Sequence, residues 1–274
     1  DSNEQNIIDF LKRYIEMKSP TGEEEEVQKD LIHTFFKTNM DWSDVTLVDV
    51  SDEQNRPNVN GRLAGSGEER KTLLFNGHSD VDDVTEKGEE KWTTNPWVPT
   101  VVDGKIYGRG SNDMKGGNTA FIWASKAIME SGVKLNGDLL ASIVVGEELN
   151  EQDMGTIAAT ESFIDNGLDI DFCVNAEPTS NEIHTKSAGT FDFRISVPGK
   201  EVHTSQKNLL NYPQRYGIPT GDDVGVNPVP IMVDILEILR KLEDKWNMKY
   251  RDEVYGSGGY PNANDMQGVG PVAI

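Results

Sequence analysis

Three short apolar runs in this chain each stop at residues that can hold a cation or move a proton. Leu73-Leu74-Phe75 passes through Asn76-Gly77 into His78-Ser79-Asp80. Residues 139–145 end in Gly146-Glu147-Glu148, and residues 171–176 end in Glu177-Pro178. Runs of this length, set between stretches of helical period, read as buried strands joined by helices. Ile7, Ile8, Leu11 and Ile15 carry that helical spacing, so a helix is expected over 4–17. Thr21 and Glu24 have the spacing of a capping box for a second helix, reaching about residue 38. Two more helices are expected over 118–130 and 156–164. Strands are expected over 45–50 and 59–64, and a hairpin over 101–107 turning at Asp103-Gly104. Strands alternating with helices imply an α/β domain whose mostly parallel central sheet is flanked by helices. Ligands of such sheets sit beyond the carboxyl ends of the strands. His78, Asp80, Glu147, Glu148 and Glu177 all fall there, and Asp113 stands just ahead of a helix.

After Glu177 the pattern changes. Residues 190–197 alternate like a half-exposed strand, 208–230 are rich in Pro, Gly and Asn and read as a long loop, and 231–246 form an amphipathic helix. A first domain is therefore placed over 1–186 and a second, α+β in character, over 187–274. The 274 residues suffice for one large or two ordinary domains.

A net charge of -21 argues against nucleic acid and anionic membranes as partners, since phosphates would be repelled. The acidic residues read mostly as solvated surface, the run 23–26 included, where negative charge favours a helix start. His33 reads as a surface or packing residue. No apolar run reaches membrane-spanning length, and the polar start at Asp1 shows no signal peptide. The absence of an initiator Met points to trimming. One cysteine, Cys173, excludes an intrachain disulfide and places the chain in the cytoplasm. Its apolar neighbours Phe172 and Val174 make it a core residue on this reading rather than a nucleophile.

His78 and Asp80, two apart on one strand, share a face, and a carboxylate beside an imidazole fixes its tautomer and frees the other nitrogen for a metal. One imidazole with several carboxylates suits a first-row divalent ion, zinc first, manganese or cobalt as substitutes. Two such ions need a bridging carboxylate. Glu147 and Glu148 are adjacent and should diverge, so one would ligate while the other serves as base. Taken singly, each fragment has a blander reading: Gly-Glu-Glu is commonly a surface turn and Glu-Pro a loop. Gly108-Arg109-Gly110 fits neither a dinucleotide fingerprint nor a P-loop, and Asp80-Val81-Asp82-Asp83 lacks the glycine of an EF-hand.

In order, the segments Gly77-His78-Ser79-Asp80-Val81, Tyr107-Gly108-Arg109-Gly110-Ser111-Asn112-Asp113-Met114-Lys115-Gly116-Gly117, Gly146-Glu147-Glu148, Ala176-Glu177-Pro178 and Pro198-Gly199-Lys200-Glu201-Val202-His203-Thr204 resemble the M20 metallopeptidases. That family includes acetylornithine deacetylase, succinyl-diaminopimelate desuccinylase, aminoacylase-1 and carboxypeptidase G2. The resemblance implies that His78, Asp113 and Glu177 hold one zinc. Asp113 would bridge to a second zinc, also held by Glu148, and Asp80 would orient His78. Glu147 would be the general base toward a metal-bound water that attacks the amide of an N-acyl amino acid or small peptide. The Asp113-Met114 bond would be cis. The second domain would be a lid that dimerises, and its His203 would polarise the scissile carbonyl.

The resemblance departs at one point. The family brings a further His to the second zinc, and none of His33, His78, His184 or His203 stands where that ligand belongs. The chain is therefore expected to correspond to the front two-thirds of such an enzyme. Two rival readings follow: a metal-binding module without turnover whose second domain self-associates, and an acidic surface protein with no site.

Overall fold

The structure is a computed structural model that describes residues 3–40, 42, 44–49, 55–67, 71–151, 153–185, 193–206, 221–249, 251–252 and 256–257. The chain divides into two units, Asp1–Ile183 and His184–Ile274.

The first unit is built on five strands: β1 (Asp44–Val48), β2 (Asn58–Leu63), β3 (Thr72–His78), β6 (Asp138–Val144) and β7 (Phe172–Asn175), in the spatial order β1-β2-β6-β3-β7. The separate hairpin of β4 (Thr100–Val102) and β5 (Lys105–Tyr107) supplies the intervening numbers. Its turn residues Asp103 and Gly104 both have positive φ, 49° and 75°, as a two-residue turn of this twist requires. The five-stranded sheet is mixed. β1 and β2 run antiparallel to their neighbours, while β6, β3 and β7 form a parallel block. Within that block His78 lies opposite Val144 and Asn76 opposite Asn175, so three carboxyl ends meet at one edge.

The helices follow the apolar periods. α1 (Glu4–Glu16) buries Phe10, Tyr14 and Ile15. A wider helical turn, Val27–His33, leads into α2 (Thr34–Asn39), and together they bury Val27, Leu31, Ile32 and Phe36. After the short α3 (Glu86–Glu89), α4 (Lys115–Glu130) and α5 (Ala158–Asp165) complete the unit, α5 following a second wide turn at Asp153–Ile157. One apolar core joins α1, α2 and α4 to the sheet through Phe75, Ile143, Trp42 and Ile122. Phe75 stacks on Phe121, and Phe36 on Trp42. Gly117 sits where α4 meets the end of β7. A Cβ there would lie 2.3 Å from the Ala176 carbonyl oxygen, so only glycine allows the approach that sets Asp113 beside Glu177.

Lys115 and Glu24 are charged side chains buried in the first unit. Lys115 is fully buried, and its Nζ donates to the carbonyls of Tyr14 (2.8 Å) and Met17 (2.9 Å), closing the end of α1. Glu24 belongs to no solvated run. It is wholly buried, and its Oε2 accepts the Gly22 N–H at 2.8 Å. Its Oε1 accepts the Gly146 N–H at 3.2 Å and lies 3.2 Å from Arg56 Nη1. Thr21 turns away from the helix and donates to Asp80, so the capping box does not form.

The edge strand corrects a further expectation. Among the described residues β7 pairs with β3 alone, and all four of its residues are exposed, Cys173 with them. An apolar run marks a strand; its burial depends on what covers it, so Cys173 is not core here.

In the second unit, Lys200 and Val226 form an isolated bridge, with both N–H···O distances 3.0 Å. The expected strand over 190–197 is absent among the described residues: 193–197 are irregular, and 190–192 lie outside them. Of the expected loop, 208–220 lie outside the described residues. Its end is helical, because α6 (Pro228–Lys249) starts three residues before the expected Ile231. Asn227 Oδ1 accepts the Val229 N–H at 3.1 Å as an N-cap, and proline at the first helical position loses no hydrogen bond.

Burial pushes the Glu24 carboxyl from 4.5 up to about 6, with backbone hydrogen bonds and Arg56 pulling only part of the way back. A carboxyl raised in this way stabilises the fold fully below its unfolded value and loses that contribution as pH rises through about 6. Glu24→Gln is therefore expected to gain about 2 kcal/mol of stability on the parent between about pH 4 and about pH 7. Urea unfolding of both proteins at the two pH values checks this, and a stability difference that does not change with pH contradicts it.

Candidate metal centre

His78 ends β3 with its side chain 1% exposed. Its Nδ1 lies 2.9 Å from the main-chain carbonyl oxygen of Asp80 and 3.5 Å from Asp80 Oδ1. A carbonyl oxygen accepts only, so Nδ1 carries the proton and Nε2 faces the other way. Sequence reasoning assigned this orientation to the Asp80 carboxylate; the nearer partner is the Asp80 backbone. The carboxylate holds the surrounding segments together: Asp80 Oδ2 accepts from Thr21 Oγ1 at 2.8 Å and from the Glu148 N–H at 3.0 Å.

Carboxylates gather around Nε2. Asp113 Oδ1 is 3.2 Å away, Glu177 Oε1 3.5 Å and Glu147 Oε2 3.9 Å. His78, Asp113 and Glu148 each offer an atom within 4.8 Å of the others'. Asp113 stands before α4, and its bond to Met114 is cis, as the resemblance implied. Glu147 and Glu148 both reach the centre, Glu147 by its Oε2 and Glu148 as a member of the group within 4.8 Å. They leave the strand in a tight turn, closed by Asn150 N–H to the Glu147 carbonyl at 2.9 Å, and strand alternation no longer applies.

The electrostatics are those of crowded negative charge. Burial raises Glu147, and Glu177, Asp80 and Asp113 raise it further against the opposing pull of His78. Glu148 is pushed up to about 7, by burial first and then by Asp113 and Asp82. Asp113 is lowered by its hydrogen bond to His78, against the effect of burial. Burial opposes a charged His78, yet Asp113, Asp80 and Glu177 outweigh it and hold the imidazole up to about 12. The carboxylates thus demand positive charge at Nε2.

The donor set fits a divalent cation. Bonds of about 2.1 Å from a tetrahedral ion place its ligand atoms roughly 3.4 Å apart. The Nε2 separations from Asp113 and Glu177, 3.2 and 3.5 Å, bracket that value. One imidazole with carboxylates is chemistry suited to zinc, manganese or cobalt.

His203 lies in the second unit, exposed, with its Nδ1 2.8 Å from Ser205 Oγ. Sequence reasoning missed Thr21, Glu24, Arg56 and Glu151, which no periodicity marks. It also gave no site role to Arg109, which lies over the Trp92 ring at 5.5 Å and helps to lower Asp113.

Residues 74–274 match the peptidase family M20/M25/M40. This chain belongs to that family. Among curated relatives, succinyl-diaminopimelate desuccinylase of Gluconacetobacter diazotrophicus is 36% identical over 63% of this chain and 44% of its own length. N-formyl-4-amino-5-aminomethyl-2-methylpyrimidine deformylase of Halalkalibacterium halodurans is 33% identical over 70% of the chain and 42% of its own length. A probable succinyl-diaminopimelate desuccinylase of Staphylococcus epidermidis is 28% identical over 94% of the chain and 56% of its own length. The chain spans about half the length of the curated relatives it matches. The M20 metallo-carboxypeptidase Sso-CP2 of Sulfolobus solfataricus superposes with a TM-score of 0.53 at 22% identity, over 62% of this chain and 37% of that one. The likeness extends to the fold.

If the M20 centre takes a cation at Nε2, His78→Ala should weaken zinc binding by roughly 100-fold or more. Calorimetric zinc titration of both proteins measures this, and equal affinities would place the ion elsewhere.

Proposed function

We propose that this chain carries the metal centre of a hydrolase that cleaves the amide bond of an N-acyl amino acid or small peptide. The observation that carries the reading is the convergence of one buried imidazole nitrogen and several carboxylates within the span of a shared cation. Family membership supports it, as do relatives named for removing succinyl and formyl groups.

In this proposal two divalent ions, zinc foremost, occupy the centre. His78, Asp113 and Glu177 would hold one, and Asp113 and Glu148 would hold the second. When bound, the ions polarise a carbonyl and acidify water. The remaining work falls to side chains. Asp80 keeps the Nδ1 proton of His78 in place and so aims Nε2. Glu147 lies farther from Nε2 than Asp113 or Glu177 and is part-exposed, so its carboxylate is open to a substrate water. Burial and three neighbouring carboxylates lift its proton affinity toward that of a working base. Glu147 takes a proton at its carboxylate and passes it to the leaving amine. The second unit acts as a lid that pairs with a second copy. There His203, with Nδ1 engaged by Ser205, presents Nε2 to the carbonyl oxygen of a substrate.

Glu147→Gln is expected to keep its zinc while hydrolysis of an N-succinyl or N-formyl substrate falls about 100-fold or more. Metal analysis and a turnover assay on the same preparation decide it. Turnover that survives the substitution removes Glu147 from the base role. Zinc bound by the parent with no turnover on any N-acyl substrate favours a metal-binding module instead.

A further inference from the structure

Residues 146–151 bring Glu147 and Glu148 to the centre, and the loop's own hydrogen bonds explain its shape but not its place. Glu151 N–H donates to the Gly146 carbonyl at 2.8 Å, and Gly146 and Asn150 take φ of 77° and 58°. Placement comes from outside the loop. Gly146 N–H is held by Glu24, and Glu24 is paired with Arg56, whose Nη2 reaches on to Glu151 Oε2 at 2.7 Å. We propose that Glu24, Arg56 and Glu151 are positioning residues that lock this loop, and with it Glu147 and Glu148, against His78. The role in metal binding rests on the centre proposed above.

Both ends of the loop are gripped by the same network. Glu24 fixes its start, Glu151 its end, and the buried Arg56 spans the two. Two residues on, Asn58 repeats the grip: its Oδ1 accepts the Val145 N–H at 3.1 Å and its Nδ2 donates to the Met154 carbonyl at 2.7 Å. The fit leaves no slack, since a Cβ on Gly146 would lie 2.8 Å from Glu151 Cβ and 2.9 Å from its Oε2. Residues 21–24 join this network to the far side of the centre. Thr21 holds Asp80, which in turn holds the Glu148 N–H.

Stability alone does not explain the arrangement. A buried ion pair is commonly matched or bettered by apolar residues of the same volume, and burial here holds the Glu24 carboxyl above its ordinary range. What only a carboxylate can do is accept a different N–H on each oxygen, Gly22 on one and Gly146 on the other, with Arg56 alongside. An amide in its place keeps the volume and loses one of those two anchors.

A comparable carboxylate–arginine pair away from the loop supplies the control. At the opposite end of β6, Asp138 accepts the Gly65 N–H at 2.8 Å and pairs with Arg62 at 2.7 Å. It has the same chemistry and stands at the start of β6, while the loop follows the end of that strand. Glu24→Gln, Arg56→Ala and Asp138→Asn would be compared by amide hydrogen exchange of the metal-free proteins and by calorimetric zinc titration. Glu24→Gln and Arg56→Ala are expected to speed exchange across 146–151 and to weaken zinc binding about 10- to 100-fold. Asp138→Asn should do neither. Should Arg56→Ala not fold, Glu24→Gln, which keeps its shape, decides. Parent-like exchange and affinity in Glu24→Gln would overturn the proposal, as would an equal loss of affinity in Asp138→Asn. A parent that binds no zinc while Glu24→Gln still frees the loop would instead sink the metal assignment and leave the loop lock standing.

Discussion

The ring of His78 is gripped on one side only. Its Nδ1–H is spent on a backbone carbonyl, which leaves Nε2 aimed at a group of carboxylates with no lysine or arginine paired to them among the described contacts. Burial first, and then the repulsion of neighbouring carboxylates, raises the proton affinities of Glu147 and Glu148. A positive charge at Nε2 relieves all of them together. A proton on His78 can supply one unit of it, and a divalent cation supplies two while satisfying the oxygens as ligands. The rest of the first unit is arranged so that these side chains have no other place to go.

That arrangement follows from the parallel block of the sheet. β3, β6 and β7 point the same way, so whatever follows each strand emerges at one edge. α4 delivers Asp113 to the same edge because Gly117 permits its start to touch the end of β7. Lys115 ties that start to the end of α1. Backbone placement, more than side-chain reach, brings residues nearly a hundred positions apart into contact distance.

The strands and their chemistry could be read from the chain because each apolar run ends where its functional residue begins. His78, Glu147, Glu148 and Glu177 were named on that ground and Asp113 from its place ahead of a helix, and the structure brings all five together. Other features were hidden for identifiable reasons. Glu24 sits in a run of four glutamates, and nothing local tells the buried one from its solvated neighbours. Arg56 and Glu151 find each other across 95 residues, a separation no periodicity reports. Cys173 and β7 looked buried because apolar content marks a strand without saying what covers it. In the second unit, Pro228 and Pro230 were read as loop, although proline suits a first helical turn.

The central claim is that one cation is shared by His78 and the carboxylates facing it. An anomalous difference map from a zinc-loaded crystal, recorded at the zinc absorption edge, tests it most directly. The account predicts a peak about 2.0–2.2 Å from His78 Nε2 and from carboxylate oxygens of Asp113 and Glu177. A map with no peak at Nε2, or with zinc only among the exposed carboxylates of Glu23, Glu25 and Asp30, would contradict it.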